Sequence, residues 1–138
     1  MSRFLLDTNI LSEPLKLEPN QRVAEQVLEN IPVIAIAAVS YHEMLFGCLQ
    51  MPDSRRKRAL STYIQQNVVE LLPILPYCDS SAKWHAEERA RLRKIGKTPP
   101  FMDGQIAAIA ATNNLILVTR NVKDFQNFQD LKIENWFD

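Results

Sequence analysis

A chain of 138 residues can bury a hydrophobic core without disulfides or a structural metal, so we expect a single domain over residues 1–138. Its 16 lysine and arginine residues balance 16 acidic residues, so the net charge favours neither a nucleic acid nor a membrane as partner. Two separated cysteines and two histidines argue against a zinc site or a disulfide scaffold, and the longest apolar run, 33–39, is far below the ~20 residues that span a bilayer. The amino terminus is too short for a signal-peptide core, and we therefore expect a cytoplasmic protein.

Apolar runs of strand length alternate with apolar residues at helical spacing along the first half of the chain. The predicted elements are, in order, a buried strand at 4–6, a loop or irregular helical turn around Pro14 and Pro19, a helix from Gln21 that Pro32 stops, a buried strand at 33–39, a helix with Ser40 as N-cap, and a helix at 55–67.

The second half continues the alternation. Its predicted elements are a strand-like segment at 68–75 that Pro73 weakens or places at an edge, a long charged helix capped by Ser80 or Ser81 that buries Trp84, Leu92 and Ile95 and ends at Gly96, a break at 98–100, a buried helix at 102–113, a strand at 115–119, and a last strand within 131–136. Strands that alternate with helices form right-handed crossovers, so the chain predicts an α/β fold with a mostly parallel sheet covered on both faces.

Acidic residues follow the predicted strands, where ligand sites gather in a parallel sheet. Asp7 ends the first strand, Glu43 lies in the first helical turn after the second, and Asp103 opens the helix before the fourth; Asp124 follows that strand as a possible fourth acid. Carboxylates packed together repel one another unless a cation neutralises them, and Mg²⁺ and Mn²⁺ prefer carboxylate oxygens. The pattern therefore indicates a metal-dependent phosphodiesterase.

Each acid also has a purely structural explanation. Ser40 and Glu43 match a capping box, Asp103 would be favoured by the dipole of its helix, and Asp7 could cap the segment after its strand. An ordinary sheet has no reason to end consecutive buried elements in acids on one side. The joint placement therefore favours a metal site over three separate structural roles.

Four segments resemble, in order, the motifs of PIN-domain ribonucleases. They are FLLDTNIL, the turn Ser40–Glu43, FMDGQIAA at 101–108, and LVTRN at 117–121 followed by Asp124 and Phe125. The opening LLDTNILSEPL is similar to the FitB branch of the VapC toxins. The resemblance covers essentially the whole chain.

The resemblance implies a three-layer α/β/α fold and an endoribonuclease that uses Mg²⁺, or Mn²⁺, and acts as the toxin of a toxin–antitoxin pair. Carried over by motif, Asp7, Glu43 and Asp103 are the metal-binding and catalytic acids. The implied partners are substrate RNA, a small DNA-binding VapB-like antitoxin that inhibits the enzyme, and commonly a second copy in a homodimer. Neighbouring side chains that could support ligands or phosphate by hydrogen bonds are Thr8, Asn9 and Thr119.

The fourth acidic position departs from the family pattern, because Asn121 stands where the branch often has aspartate after Thr-Arg. An amide supplies no negative charge, so the number of metal ions stays open, and Asp124 either compensates or serves as a turn residue. Arg120 is the best single candidate for an RNA phosphate contact. Basic residues at 55–58 and 89–97 are further candidates, although solvated helix faces explain them equally simply.

Histidine and aromatic residues are interpreted as structural. We predict packing or surface positions, and not general-base roles, for His42 and His85. We predict core or dimer-surface positions, and not base-stacking platforms, for Phe46, Tyr63 and Trp84.

Two rival functions remain at this level. A haloacid dehalogenase-like phosphatase needs a second aspartate two residues after the first, where this chain has Asn9, and a response-regulator receiver needs paired acids and a strand lysine that the sequence lacks. A PIN-like module that binds RNA or a partner without cleavage is favoured by Asn121 alone. Dependence of RNA cleavage on a divalent metal separates this module from the nuclease.

Overall fold

The central sheet has five parallel strands in the computed structural model, which describes residues Met1–Asp138. The strands are β1 (Phe4–Leu6), β2 (Ile34–Ala37), β3 (Ile74–Leu75), β4 (Ile116–Val118) and β5 (Ile133–Glu134). Their order is β3-β2-β1-β4-β5, so the first strand lies at the centre, with Leu5 opposite Ala35 on one side and Leu117 on the other. The prediction of a parallel sheet is confirmed.

Seven helices cover the two faces of the sheet. They are α1 (Thr8–Ser12), α2 (Gln21–Asn30), α3 (Ala38–Leu49), α4 (Arg55–Tyr63), α5 (Asp79–Lys94), α6 (Phe101–Thr112) and α7 (Val122–Phe125). Alternate residues of a strand point to opposite faces. Phe4 and Leu6 accordingly join a core with α2 and α3, whereas Leu5 joins a second core with α5 and α6. The predicted three-layer α/β/α fold is confirmed.

Several predicted helix ends hold and others are wrong. Gly96 adopts a φ of 71° just after α5, a left-handed conformation that glycine adopts readily, and it ends that helix as predicted. Ile95, predicted to face the core, is exposed, because α5 has already ended at Lys94. Neither Ser80 nor Ser81 caps α5, whose N-cap residue is Cys78.

The segment predicted as a strand at 68–75 is a strand only at its end: 68–69 are helical and 70–73 form a turn. A π-helical turn, Ile64–Val69, continues α4, and only Ile74–Leu75 pair with β2 at the sheet edge, as the effect of Pro73 suggested. Val68 favours a strand locally, but Ile64 and Val68 are both buried in the same core, and the helical turn places them there together. Tertiary packing therefore overrides the local preference.

No helix of the structure is both long enough and apolar enough to cross a membrane.

Candidate functional site

Asp7 stands between the central strand and the first helix. Its backbone N–H donates to the carbonyl of Val118, 2.9 Å away, and the residue is the N-cap of α1, where its Oδ1 accepts from the Thr8 amide at 2.8 Å. Its other oxygen, Oδ2, accepts from the buried hydroxyl of Thr119 at 2.9 Å. Burial raises the pKa of Asp7, these hydrogen bonds lower it in part, and the charge of Asp124 raises it further.

Glu43 reaches the same edge of the sheet from α3. The predicted capping box is wrong, because β2 ends at Ala37 and α3 begins at Ala38, which leaves Ser40 inside the helix with its buried hydroxyl unpaired. Glu43 Oε1 instead accepts from the Thr8 hydroxyl at 3.2 Å. Thr8 therefore links the carboxylates of Asp7 and Glu43, one through its amide and the other through its side chain.

Asp103 lies in the first turn of α6 and faces the other acids. Burial raises the pKa of Asp103 most, and together with the negative charges of Asp124, Asp7 and Glu43, in that order, it brings the pKa to about 6. The helix N-terminus favours a negative charge, but here burial and the neighbouring carboxylates outweigh it. Asp7, Glu43 and Asp103 therefore lie close enough for their charges to act on Asp103, and their shared role as metal ligands stays a prediction.

Two residues, Asp124 and Asn121, are candidates for the fourth acidic position, and they differ in charge. Asp124 is exposed on α7, and its charge acts on both Asp7 and Asp103. Asn121 is the N-cap residue of α7, and its side chain forms no capping hydrogen bond. Its backbone N–H donates to the Thr119 hydroxyl at 3.1 Å. Asp124 therefore brings a negative charge near Asp7 and Asp103, and Asn121 brings none.

No basic side chain neutralises the charge of the acidic cluster, which is defined as Asp7, Glu43, Asp103 and Asp124. None of these side chains forms an ion pair with a lysine or arginine. No three histidine, cysteine or acidic side chains are arranged as ligands of a single metal ion. Hydrogen bonds from Thr8 and Thr119 hold the two Asp7 oxygens. An unpaired set of carboxylate oxygens nevertheless has the donor chemistry of a hard divalent cation such as Mg²⁺ or Mn²⁺.

Replacing Asp103 with asparagine is expected to stabilise the metal-free protein. The folded pKa of about 6 exceeds that of an unfolded aspartate, so the free energy of unfolding falls as pH rises through the folded value. At pH 7.5 in chelator, we expect Asp103→Asn to raise Tm by about 3 to 6 °C, after discounting for solvent screening. At pH 4 the difference should vanish, because Asp103 is then protonated.

Thermal unfolding followed by circular dichroism between pH 4 and 8 measures this effect. Asp79→Asn is the matched control, because Asp79 is an exposed acid in the first turn of α5. At pH 7.5 the Asp79→Asn variant should have the same Tm as the parent or a slightly lower one. Equal stability of the Asp103→Asn variant and the parent at both pH values would contradict the repulsion among the acids.

Arg120 lies beside the acidic cluster and is exposed. Its guanidinium stacks 4.3 Å from the centre of the Phe137 ring, and its charge lowers the pKa of Glu13, though less than the contacts of Glu13 with Lys16 and Asn20 do. The sequence interpretation missed Glu13, which is buried and accepts from the Asn20 amide at 2.8 Å. Glu13 lies three residues after the buried Ile10, and this helical spacing indicates that Glu13 is buried too.

The two wider basic surfaces differ in how their side chains are engaged. On α4, Arg55 and Arg56 are exposed, while Arg58 pairs with Asp53. On α5, both Arg91 Nε and Nη2 donate to the carboxylate of Glu88, at 2.8 and 2.9 Å, and the pKa of Glu88 is lowered as a result. Arg91 is thus held in place by Glu88 and by the carbonyl of Asn127.

An apolar groove lies away from the acidic cluster, between α1, α2 and the end of α4 with its π-helical turn. It encloses about 230 Å³ and its lining is mainly aliphatic: Leu11, Pro14, Ala24, Val27, Leu28, Ile31, Ile34, Tyr63, Asn67, Leu71 and Leu72. Leu28 is 71% exposed and Leu71 is 48% exposed. Exposed aliphatic side chains along a groove are typical of a surface that receives an amphipathic helix.

Other large apolar side chains are exposed on neighbouring helices. Phe46 and Leu49 project from α3, and Phe101 and Met102 begin α6, which packs against α3. Phe46 therefore lies on the surface, which was one of its two predicted positions, and not in the core. His85 is only 3% exposed and packs inside the protein.

The sequence matches the PIN domain family over residues 4–131. It is 31% identical to the protein named Toxin FitB from Neisseria gonorrhoeae, over 88% of this chain and 90% of that protein. It is 30% identical to the tRNA(fMet)-specific endonuclease VapC of Shigella flexneri, over 99% of each chain. Among solved structures, FitAB bound to an IR36 DNA fragment contains a chain with a TM-score of 0.90 and 29% identity, covering 98% of this chain and 96% of that one.

Proposed function

This chain belongs to the PIN-domain family, and we propose that it is a divalent-metal-dependent endoribonuclease that acts as the toxin of a toxin–antitoxin pair. The observation that carries the proposal is the convergence of Asp7, Glu43 and Asp103 at the carboxyl edge of the sheet. Relatives named as a toxin and as an RNA endonuclease support the same reading. One PIN domain would then occupy residues 1–138.

In the proposed mechanism, Asp7 and Asp103 are the main carboxylates around a Mg²⁺ or Mn²⁺ ion, with Glu43 as a direct or water-mediated ligand. When bound, such an ion neutralises charge on the phosphate and lowers the pKa of an attacking water. Thr119 and Thr8 orient the Asp7 carboxylate through hydrogen bonds to its two oxygens. Exposed Arg120 would bind an RNA phosphate, and its support is that it lines the same surface pocket as Asp124.

Asp124 is the proposed fourth acid of the site. Support comes from its charge, which acts on Asp7 and Asp103, whereas the Asn121 side chain forms no hydrogen bond at its N-cap. The alternative function, a PIN-like module that binds RNA or a partner without cleaving, still has Asn121 in its favour. A complete set of acids is the stronger argument, because binding alone gives no reason to accumulate unpaired carboxylates.

Metal removal distinguishes these two functions. The purified protein is incubated with a mixed cellular RNA pool in Mg²⁺, in Mn²⁺, and in excess chelator, and the cut ends are mapped by sequencing. We expect cleavage inside RNA chains with either metal and none in chelator. RNA binding that persists in chelator, without cleavage under any condition, would favour the binding module.

The proposed protein partners are a small DNA-binding antitoxin and a second copy of this chain. The apolar groove described above supports the first, since an amphipathic antitoxin helix would cover Leu28 and Leu71. The similar FitAB structure is an assembly bound to DNA. Exposed Phe46 and Leu49 on α3, beside Phe101 on α6, support the second partner, because burying them between two copies would remove them from water.

A further inference from the structure

A histidine on α5 occupies the space over the helical turn that carries Asp103. His85 is 3% exposed, and its ring edge lies directly over Gly104, the residue after Asp103. A Cβ atom at position 104 would overlap His85 Nε2 and would lie 2.6 Å from Cδ2. Only glycine fits at this position while the imidazole is in place.

The imidazole is held by its other neighbours as well. Its Nδ1 shares a hydrogen bond of 2.8 Å with the Tyr77 hydroxyl. Its ring centre lies 4.8 Å from that of Phe101, two residues before Asp103 on α6. The ring therefore contacts α6 on both sides of Asp103 and cannot swing away without losing its part-buried hydrogen bond to Tyr77.

The first turn of α6 needs such a support. Its N-cap residue, Pro100, provides no side-chain capping bond, and glycine inside a helix is less favourable than alanine. The like charges of Asp124, Asp7 and Glu43 all act against an ionised Asp103. Without a contact that holds the turn, Asp103 would lower its energy by moving away from the other acids.

We propose that His85 is a positioning residue for the metal site: by filling the space over Gly104, it fixes the first turn of α6 and with it the place of Asp103. Burial lowers the pKa of His85, as does Arg89, so the neutral ring acts by its shape and not by its charge. The inference rests on the metal site in the proposed function.

A double-mutant cycle tests the proposal, with Mn²⁺ dissociation constants measured by electron paramagnetic resonance. Gly104→Ala should weaken Mn²⁺ binding by about tenfold to a hundredfold, because the methyl group displaces the turn that carries Asp103. His85→Ala should weaken binding less. The double variant should regain most of the affinity lost in Gly104→Ala, because the methyl group then enters the vacated space. In RNA cleavage, Gly104→Ala should lower kcat and leave KM unchanged.

The control variant is Leu92→Ala, which creates a cavity in the second core from the same helix, α5. It should lower thermal stability without changing Mn²⁺ affinity. If Gly104→Ala does not fold, His85→Ala and Tyr77→Phe decide, since each should weaken Mn²⁺ binding in a folded protein.

Unchanged affinity in folded Gly104→Ala or His85→Ala, or a double variant as weak as Gly104→Ala, would overturn the positioning role alone. A parent protein that binds no Mn²⁺ would overturn the proposed function and this inference with it.

Discussion

Replacing Asp7 with asparagine is expected to reduce RNA cleavage by about a thousandfold or more, because a lost metal ligand removes several kcal/mol of transition-state stabilisation. The amide is almost the same size as the carboxylate, so the substitution tests charge rather than packing. Its oxygen can still accept from the Thr8 amide at the N-cap of α1. The fold should therefore persist while activity is lost.

The measurement is the initial rate of cleavage of a labelled RNA in Mg²⁺, with circular dichroism as the check on folding. The matched control is Asp53→Asn, because the Asp53 side chain is 87% exposed and pairs only with Arg58. This control should cleave at the parental rate. Parental activity in a folded Asp7→Asn variant would remove Asp7 from the site.

Thermal stability gives a second measure of the same substitution. The parent should gain stability when Mg²⁺ is added, because an ion that binds only the folded state raises Tm. Asp7→Asn should lose that response. The rate and the metal-dependent Tm together distinguish a lost metal site from a damaged fold.

Replacing Leu28 with aspartate is expected to weaken binding of the antitoxin by about 30- to 150-fold, equivalent to about 2–3 kcal/mol for a central apolar contact. Leu28 lies on α2 and is 71% exposed, so the free protein loses little packing. In the complex, however, the carboxylate would have to leave water against the aliphatic lining of the groove. RNA cleavage by the free protein should be unchanged, since the groove lies away from the acidic cluster.

Isothermal titration of the antitoxin into each variant measures this loss, and cleavage assays with added antitoxin measure release from inhibition. Leu17→Asp is the matched control, because Leu17 is fully exposed and does not line the groove. It should bind antitoxin as the parent does. Equal losses in both variants would point to a general charge effect, and no loss in Leu28→Asp would exclude this groove as the docking surface.

The central strand and the acid that follows it were predictable from local pattern. Three apolar residues before Asp7 give a buried strand, and the alternation of strands with helices predicts a parallel sheet whose carboxyl ends share one edge. Asp103 followed from the same logic, because it opens the helix that leads back to β4. These inferences needed only the order of elements along the chain.

Local pattern failed where two structures suit the same residues. Ala38 and Val39 are compatible with both strand and helix, so the local pattern predicts too late a start for α3 and makes Ser40 a capping residue. Val68 and Val69 favour a strand, yet the buried positions of Ile64 and Val68 require a helical turn. In both cases distant packing partners, absent from any local window, decided the outcome.

The sequence by itself thus determined the layered fold with its parallel sheet, and the delivery of Asp7, Glu43 and Asp103 to one edge of that sheet. Only the tertiary structure decided that Thr8 links two of these acids, that the charge of Asp124 acts on Asp7 and Asp103, and that His85 requires glycine next to Asp103. The physical reason is range. A parallel, layered sheet follows from the alternation of strands and helices along the chain, whereas hydrogen bonds, charge repulsion and steric contacts depend on ångström distances between residues that are far apart in the chain.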